Sequence, residues 1–530
     1  MRSPCDEAAL RSAAGDSPCK PQSRPWVLAA AILGSSMAFI DGTVVNVALP
    51  ALQSSFHATM VDVQWVVESY GLFLGALILV GGSAGDLFGR RRVFLMGVFL
   101  FALASAACGV AQSVQQLIMA RAVQGVGAAL LTPGSLAIIS ASFAQKDRGP
   151  AIGAWSGFTA ITTAFGPVLG GWLIEHLSWR WIFFINLPLA AAVILLSLWH
   201  VPESRRAGAN RLDLRGAVVI TLGLGALVFG LIESPRLGWR NSEVVVSLLI
   251  AAACLTVFPF LEMRSQSPMV PLALFRSRTF RGANLLTLFL YSALGIFFFV
   301  FPMNLIQVQG YSATAAGAAA LPLILLMFFL SRWSGGLVSR YGAKAPLIIG
   351  PLIASLGFAL FTMPEVGSSY WASFFPAFVV LGFGLSVSVA PLTTVVMGTV
   401  DQNYAGAASG INNAVARVAG LLAIAVFGIV MVNAFATRLD HRLALLEVSP
   451  SVRRVMKSHR IRLAAIEIPS PADPQSAKNM RSAVNDAFIF GFRIVAGCCA
   501  ILAIASALTA TLMIDGKTAA QAKVSQKAVA

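Results

Sequence analysis

Four charged side chains lie within long apolar stretches of this sequence: Asp41, Glu68, Arg121 and Arg417. A charge placed in hydrocarbon costs roughly 2.5–3.5 kcal/mol on insertion scales and usually faces the interior of a helix bundle. With a helical rise of 1.5 Å per residue, Asp41, Glu68 and Arg121 lie about 8–15 Å from the same membrane surface. Two carboxylates and a guanidinium at similar depth can load and release a proton, because apolar surroundings disfavour a charged carboxylate and a nearby arginine favours it.

Each of these side chains also has a simpler explanation. Arg121 and one carboxylate could form a static structural pair, and Glu68 could face the outer headgroups or contact a cationic substrate. A second set of polar residues is predicted to line a substrate cavity, namely Asn46, Gln124, Asn412, Asn413 and Arg417. Hydrogen bonding between helices explains Asn412, Asn413 and Arg417 equally well, because polar groups facing lipid would be unsatisfied. Arg417 could instead attract an anionic substrate.

The apolar stretches that carry these residues predict an all-α membrane protein. The chain is 57% hydrophobic and 11% charged, whereas soluble domains carry about 25% charged residues. A helix needs about 20 apolar residues to cross the hydrocarbon core. On that basis we predict fourteen spans, near residues 26–50, 63–85, 93–111, 115–140, 151–174, 181–200, 214–233, 243–262, 280–303, 314–338, 345–363, 369–397, 408–434 and 486–514.

The distribution of Lys and Arg orients these spans. Loops after even-numbered spans are basic, as at Arg90-Arg91-Arg92, so the positive-inside rule places both termini in the cytoplasm. The long external loop 435–485 is an exception, with nine Lys and Arg. This loop is either a solvated surface or a contact with substrate or lipid. The net charge of +16 is not gathered into an aromatic-interleaved basic domain, so nucleic acid is excluded as a partner.

The sequence shows none of the patterns that support catalysis. The six cysteines lack metal-ligand spacing, and there is no P-loop and no Ser/His/Asp arrangement. We therefore predict no enzymatic activity, no metal and no cofactor. Without a P-loop, the energy for transport must come from an ion gradient.

Two short segments recur at a displacement of eight spans. Gly82–Arg92 resembles Gly335–Lys344, and Gly153–Gly157 resembles Gly410–Ala414. The repeat predicts two six-helix halves, 26–200 and 263–514, separated by two inserted spans in 201–262 and flanked by cytoplasmic tails 1–25 and 515–530. Parallel halves around a midplane site are a transporter plan in which one half rocks against the other.

The motifs along the chain resemble the major facilitator superfamily, and within it the fourteen-span drug:proton antiporters. The resemblance covers roughly residues 26–435 and rests on five motifs in the expected order. These are Asp41–Pro50, Gly82-x-x-x-Asp86-x-x-Gly89-Arg90-Arg91, Arg121-x-x-Gln124-Gly125-x-Gly127, Gly166-Pro167-x-x-Gly170-Gly171 and Trp179–Pro188. Three positions depart from the family pattern, namely Leu87, Thr162 and Ser339.

The resemblance implies roles for these motif residues. Asp41 and Arg121 would couple transport to protons. Gly82, Asp86, Gly89, Arg90 and Arg91 would form a cytoplasmic gate, although the three arginines could serve topology alone. Gly166, Pro167 and Gly170 would bend span 5 and seal the bundle, with ordinary small-residue packing as the alternative.

These expectations favour a proton-driven exporter of lipophilic or cationic small molecules, including drugs, in a bacterial cytoplasmic (inner) membrane. The partners are then a small-molecule substrate, protons and the lipid bilayer; the sequence does not decide whether an envelope adaptor protein is needed. The alternatives are an exporter of one metabolite, peptide or lipid, a nutrient importer, and a membrane sensor on a transporter fold. Intramembrane carboxylates and the span 5 motif favour antiport over uptake.

Overall fold

The computed structural model describes residues 22–143, 145–205, 212–266, 268–400, 405–446, 449–468 and 474–515. The expected cytoplasmic tails, 1–25 and 515–530, lie outside the described residues except at 22–25 and at Asp515. The described residues form an all-helical structure with no β-strand.

Fourteen principal helices follow one another along the described residues. The first seven are α1 Arg24–Phe56, α2 Met60–Phe88, α3 Arg90–Val110, α4 Val114–Ser142, α5 Gln145–His176, α6 Trp181–His200 (interrupted at Ile185) and α7 Leu214–Leu237. The others are α8 Ser242–Arg264, α9 Arg278–Met303 with a π-helical turn at Asn304–Val308, α10 Ala313–Ala318 and Leu321–Gly335, α11 Lys344–Leu360, α12 Phe375–Gly398 after a π-helical turn at Tyr370–Phe374, α13 Ala405–Ala444 and α14 Pro474–Met513.

Thirteen of these helices are long and apolar enough to cross a membrane, and α11 is a shorter apolar helix at the position of the predicted eleventh span. The prediction of an all-α, multi-pass membrane fold is confirmed. Pro50, Pro133, Pro167 and Pro391 all lie inside helices. Proline inside a membrane helix is tolerated because neighbouring groups can satisfy the freed carbonyl.

The structure contains helices over much of the predicted loop 435–485. The helix α13 continues to Ala444 and α14 begins at Pro474, so each has 40 residues. Such a helix is about 60 Å long, roughly twice the thickness of the hydrocarbon core. A short helix, Pro450–Ser458, and a 3₁₀ turn, Arg460–Ala465, lie between them. Much of this basic segment is therefore helical.

An ion-pair cluster joins the two long helices within that segment. Asp486 of α14 accepts hydrogen bonds from the Nε atoms of Arg438 and Arg442 of α13, each at 2.7 Å. Opposite charges at this distance favour one register between the helices. The extensions of α13 and α14 therefore pair with each other.

The chain divides into two compact units. The first comprises the described residues up to Ala48, together with Trp65–Leu227 and Leu248–Val270. The second comprises Leu49–Gln64, Val228–Ser247 and the described residues from Pro271 onward.

Aromatic side chains form the centre of the second unit. Phe297 and Phe301 of α9 lie against Phe361, which follows α11, with ring centroids 4.6 and 5.6 Å apart. Phe378 of α12 is 4.9 Å from Phe361. These rings are buried, so the aromatic run at 297–299 serves packing. By contrast, Phe329 of α10 is 71% exposed on the surface.

Candidate functional site

The first unit encloses a buried ion pair between α1 and α4. Arg121 of α4 donates a hydrogen bond through Nη1 to the Oδ2 atom of Asp41 on α1. The two side chains are 1% and 0% exposed. The structure thus brings together two of the three residues that the sequence predicted for proton coupling.

Arg121 has further partners around its guanidinium. Its Nε donates to the carbonyl of Val66 at 3.1 Å, and its Nη1 also donates to the Oε1 of Gln124 at 2.7 Å. The guanidinium carbon lies 4.2 Å from the ring centroid of Tyr70. A cation over an aromatic face is stabilised by the ring quadrupole. Arg121 therefore retains favourable contacts even without its bond to Asp41.

Gln124 connects the ion pair to α3. Its Nε2 donates to the Oδ1 of Asp41 at 2.8 Å and to the Oγ of Ser105 at 3.3 Å. Its Oε1 accepts a weak hydrogen bond from Cys108 at 3.7 Å. Gln124 is fully buried and fully bonded. The sequence predicts Gln124 as a cavity residue, and in this conformation its amide bonds to both Asp41 and Arg121.

Two polar residues that sequence reasoning missed complete the network. Ser105 of α3 donates to the carbonyl of Phe183 at 2.9 Å and accepts from Nδ2 of Asn186 on α6 at 3.0 Å. Both are fully buried. Asn186 carried a signal, because it belongs to the Trp179–Pro188 motif. Ser105 carried none, because serine is common in membrane helices.

Glu68 of α2 lies apart from this network. It is fully buried, and neither carboxylate oxygen has a hydrogen-bond partner in the described part of the chain. The sequence places Glu68 at a depth similar to that of Arg121, but no hydrogen bond or ion pair joins these two described residues. An unpaired buried carboxylate costs several kcal/mol, and a proton or a cationic group beside Glu68 would remove that cost.

The remaining predicted cavity residues differ in their surroundings. The Nδ2 of Asn412 on α13 donates to Thr287 at 2.7 Å and to Asn284 at 3.3 Å, both on α9. Asn412 therefore joins two helices of the second unit, as the alternative explanation proposed. Asn413 is exposed and Arg417 is half-buried. The Oδ1 of Asn46 is buried without a hydrogen-bond partner among the described residues.

The predicted gate residues surround the α2–α3 connection. Asp86 accepts hydrogen bonds from Nε and Nη2 of Arg90 at 3.0 and 2.8 Å. Nη1 of Arg90 donates to the carbonyl of Ala137 on α4 at 3.4 Å. A Cβ on Gly82 would make only ordinary contact with Pro133, at 3.6 Å. Asp86 and Arg90 thus fasten α2, α3 and α4 together within the first unit.

Glu203, which the sequence did not single out, caps the start of α3. Its two carboxylate oxygens accept from the backbone N–H groups of Arg91 and Arg92 at 3.1 and 3.2 Å. Gly89 has φ 113°, a left-handed conformation that suits glycine. A Cβ on Gly89 would also lie 2.6 Å from a Glu203 oxygen. Nη1 of Arg91 donates to the carbonyl of Val201 at 3.0 Å. The basic motif is therefore held by the chain that leaves α6.

The glycines of the α5 motif allow close packing on α1. A Cβ on Gly166 would lie 2.7 Å from Oγ1 of Thr43, and a Cβ on Gly170 would lie 1.8 Å from Cγ2 of Val44. Pro167 lies between them inside the helix. Thr162, at a position where the family pattern has glycine, donates to Oγ of Ser36 on α1 at 2.9 Å. The motif therefore joins α5 to the helix that carries Asp41.

This chain is similar in sequence to proteins of a known family. The sequence profile of the Major Facilitator Superfamily matches residues 31–424. The chain belongs to the Major Facilitator Superfamily. It is 37% identical over 436 residues to the multidrug resistance protein Stp of Mycobacterium tuberculosis (strain CDC 1551 / Oshkosh), covering 80% of this chain and 79% of that protein. The resemblance inferred from the motifs is confirmed.

A second relative and a solved structure extend this result. The tetracenomycin C resistance and export protein of Streptomyces glaucescens is 33% identical over 499 residues, covering 92% of this chain and 91% of that protein. A bacterial homologue of the human lysosomal transporter Spinster, solved in an inward-facing and occupied conformation, matches with a TM-score of 0.64 at 18% identity. The match covers 94% of this chain and 98% of that one and shows the shared fold. The chain is thus a membrane transporter, a family assignment that gives no support to an enzymatic activity.

Proposed function

We propose that this superfamily member is a proton-coupled antiporter that exports lipophilic or cationic small molecules across the bacterial cytoplasmic membrane. The observation that carries the proposal is the buried Asp41–Arg121 pair, a titratable carboxylate held against a cation with almost no solvent contact. The relatives named for multidrug resistance and for antibiotic export support the direction of transport and the class of substrate.

The geometry supports an exchange of partners at Asp41. Its Oδ2 faces Nη1 of Arg121, and a proton bound there would point at a hydrogen-bond donor. Protonation at Oδ2 therefore requires Arg121 to move away. Arg121 can do so without losing all its partners, because Val66, Gln124 and Tyr70 hold it separately. Proton uptake at Asp41 is thereby tied to a displacement of α4 side chains relative to α1.

Glu68 offers a second site at which a proton or a cation can bind. Glu68 is buried and no described residue bonds to its carboxylate, so a bound proton or a nearby cation would stabilise it. A cationic substrate could supply that charge, so Glu68 is either the second protonated group or the residue that recognises cationic substrates. Exchange of one for the other would link substrate binding to proton release.

The orientation follows from the loop charges. With Arg90–Arg92 in the cytoplasm, both termini are cytoplasmic, and Asp41 lies toward the outer surface. Protons enter from the outside, and each charge that crosses 100 mV supplies about 2.3 kcal/mol. The direction of the proton gradient therefore favours export of the substrate.

The test uses inside-out membrane vesicles energised with a proton gradient. Addition of tetraphenylphosphonium or lincomycin should dissipate the gradient in vesicles that carry the wild-type protein. Asp41→Asn should abolish this response. Asp440→Asn is the matched control, because Asp440 pairs with Lys457 at 3.4 Å on an exposed surface, and it should behave as wild type. A full response from Asp41→Asn would refute the proposed coupling.

A narrower substrate range is the second candidate function. It is favoured by the relative named for the export of a single antibiotic, which matches this chain over most of its length. A susceptibility panel in a host without its own exporters distinguishes the two. Protection against several unrelated compounds supports multidrug export, whereas protection against one compound supports a dedicated exporter.

A further inference from the structure

The α6 motif Trp179–Pro188 has no part in the coupling described so far, yet one of its residues reaches the buried network. Asn186 donates from Nδ2 to Oγ of Ser105 at 3.0 Å, and Ser105 lies 3.3 Å from Nε2 of Gln124. Gln124 in turn donates to Oδ1 of Asp41 at 2.8 Å. A continuous chain of hydrogen bonds therefore runs from α6 through α3 and α4 to the carboxylate on α1.

The hydroxyl of Ser105 fixes the direction of this chain. A serine hydroxyl has one proton to donate and two lone pairs that can accept. Ser105 donates its proton to the carbonyl of Phe183 at 2.9 Å, and Asn186 occupies one lone pair. Only an acceptor position remains for Gln124. The side of the Gln124 amide that faces Ser105 must therefore be its NH₂ group.

The orientation of the Gln124 amide decides which of its groups, the oxygen or the NH₂, contacts Asp41 and which contacts Arg121. With NH₂ toward Ser105 and Asp41, the amide oxygen faces Nη1 of Arg121, at 2.7 Å. The opposite orientation would place the amide oxygen against the Asp41 carboxylate and the NH₂ group against the guanidinium. Both of those contacts are repulsive, because neither pairs a donor with an acceptor. Ser105 therefore selects the orientation that stabilises charged Asp41 and charged Arg121 together.

We propose that Asn186 and Ser105 are positioning residues for proton coupling, which hold the Gln124 amide in the orientation that favours charged Asp41. This inference rests on the proposed antiport function and assigns a role to the α6 motif. The titratable groups that face the network among the described residues are Arg121 from α4, Tyr70 from α2 and Cys108 from α3. The Asn186 and Ser105 variants replace none of these three side chains.

The experiment measures substrate-driven proton flux in proteoliposomes across a range of pH, with tetraphenylphosphonium as the probe. Ser105→Ala and Asn186→Leu should each raise the pH midpoint of the flux by about one unit, because a hydrogen bond that favours charged Asp41 is weakened. Ser105→Thr keeps the hydroxyl and should retain the wild-type midpoint. Ser197→Ala, at a fully buried serine of α6, is the matched control and should not move the midpoint.

A double-mutant cycle tests whether the residues act through Gln124. In a Gln124→Ala background, Asn186→Leu should add no further shift, since residues in one hydrogen-bond chain are not additive. If Ser105→Ala and Asn186→Leu lower the flux equally at every pH, with the midpoint unchanged, their role is structural and the inference is overturned. If the wild-type protein shows no substrate-driven proton flux at all, the proposed function fails and the inference falls with it.

Discussion

Neutralising Asp41 should destabilise the protein far more than neutralising an exposed acid. Asp41→Asn leaves the Arg121 guanidinium, 1% exposed, without an opposite charge. Removing one member of a buried pair costs about 3–5 kcal/mol. The bonds from Arg121 to Val66 and Gln124 and its position over Tyr70 remain, so we expect a loss at the lower end, about 3 kcal/mol.

The double variant Asp41→Asn, Arg121→Gln gives the stricter comparison. It removes both charges, so it should be more stable than Asp41→Asn alone, because no uncompensated buried charge is left. Thermal unfolding of the wild type, both single variants and the double variant in detergent measures these differences. Asp440→Asn, which breaks an exposed pair, should cost about 1 kcal/mol or less. The reasoning is refuted if Asp41→Asn is no more damaging than Asp440→Asn, or if the two core substitutions simply add.

The same estimate bears on the transport cycle. Asparagine imitates protonated Asp41, so about 3 kcal/mol approximates the cost of breaking the ion pair when a proton binds. One charge that crosses 100 mV supplies about 2.3 kcal/mol. The two energies are similar, and a membrane potential together with a pH difference can therefore drive the exchange.

Two further predictions concern glycines of the gate and antiporter motifs. Gly89→Ala should lower the free energy of unfolding by about 1–3 kcal/mol, because Gly89 has φ 113° and its Cβ would meet Glu203. Gly153→Ala, where a Cβ would meet nothing within 4 Å, is the control and should leave thermal unfolding unchanged. Equal effects of the two variants would contradict the argument. Gly170→Ala should cost about 1–3 kcal/mol by overpacking, because its Cβ would lie 1.8 Å from Cγ2 of Val44. Val44→Ala should restore stability in that background, and a failure to do so would remove the clash as the cause.

The sequence singled out Asp41, Glu68 and Arg121 because charged residues within apolar stretches are rare and have few roles. Depth left both carboxylates open as the partner of Arg121, but these three residues could be named from the sequence. Their supporting residues could not, because Ser105 and Tyr70 are ordinary in membrane helices and only their contacts distinguish them. Glu203 was missed for a different reason. Glu203 follows a span in a segment that the sequence predicts to be a loop. Its role as a cap depends on the position of the start of α3, 112 residues away in the sequence.

The helix boundaries show where hydropathy stops being informative. Predicted span 13 ends at 434 and predicted span 14 begins at 486, at the limits of the apolar residues. The helix α13 continues through polar sequence to Ala444, and α14 already begins at Pro474. Hydropathy reports contact with lipid, whereas a helix continues as long as its backbone bonds and side-chain partners persist. Here those partners include Asp486 and Arg438, which pair across the two extensions.

Infrared difference spectroscopy on the purified protein can detect whether Asp41 exchanges a proton when a substrate binds. We predict that addition of tetraphenylphosphonium changes the carbonyl-stretch band of a protonated carboxylic acid, and that the part of this change owed to Asp41 disappears in Asp41→Asn. Glu68→Gln, which leaves the Asp41–Arg121 pair intact, should retain that part. A substrate-induced spectrum that is identical in wild type and Asp41→Asn would show that Asp41 exchanges no proton and would contradict the account.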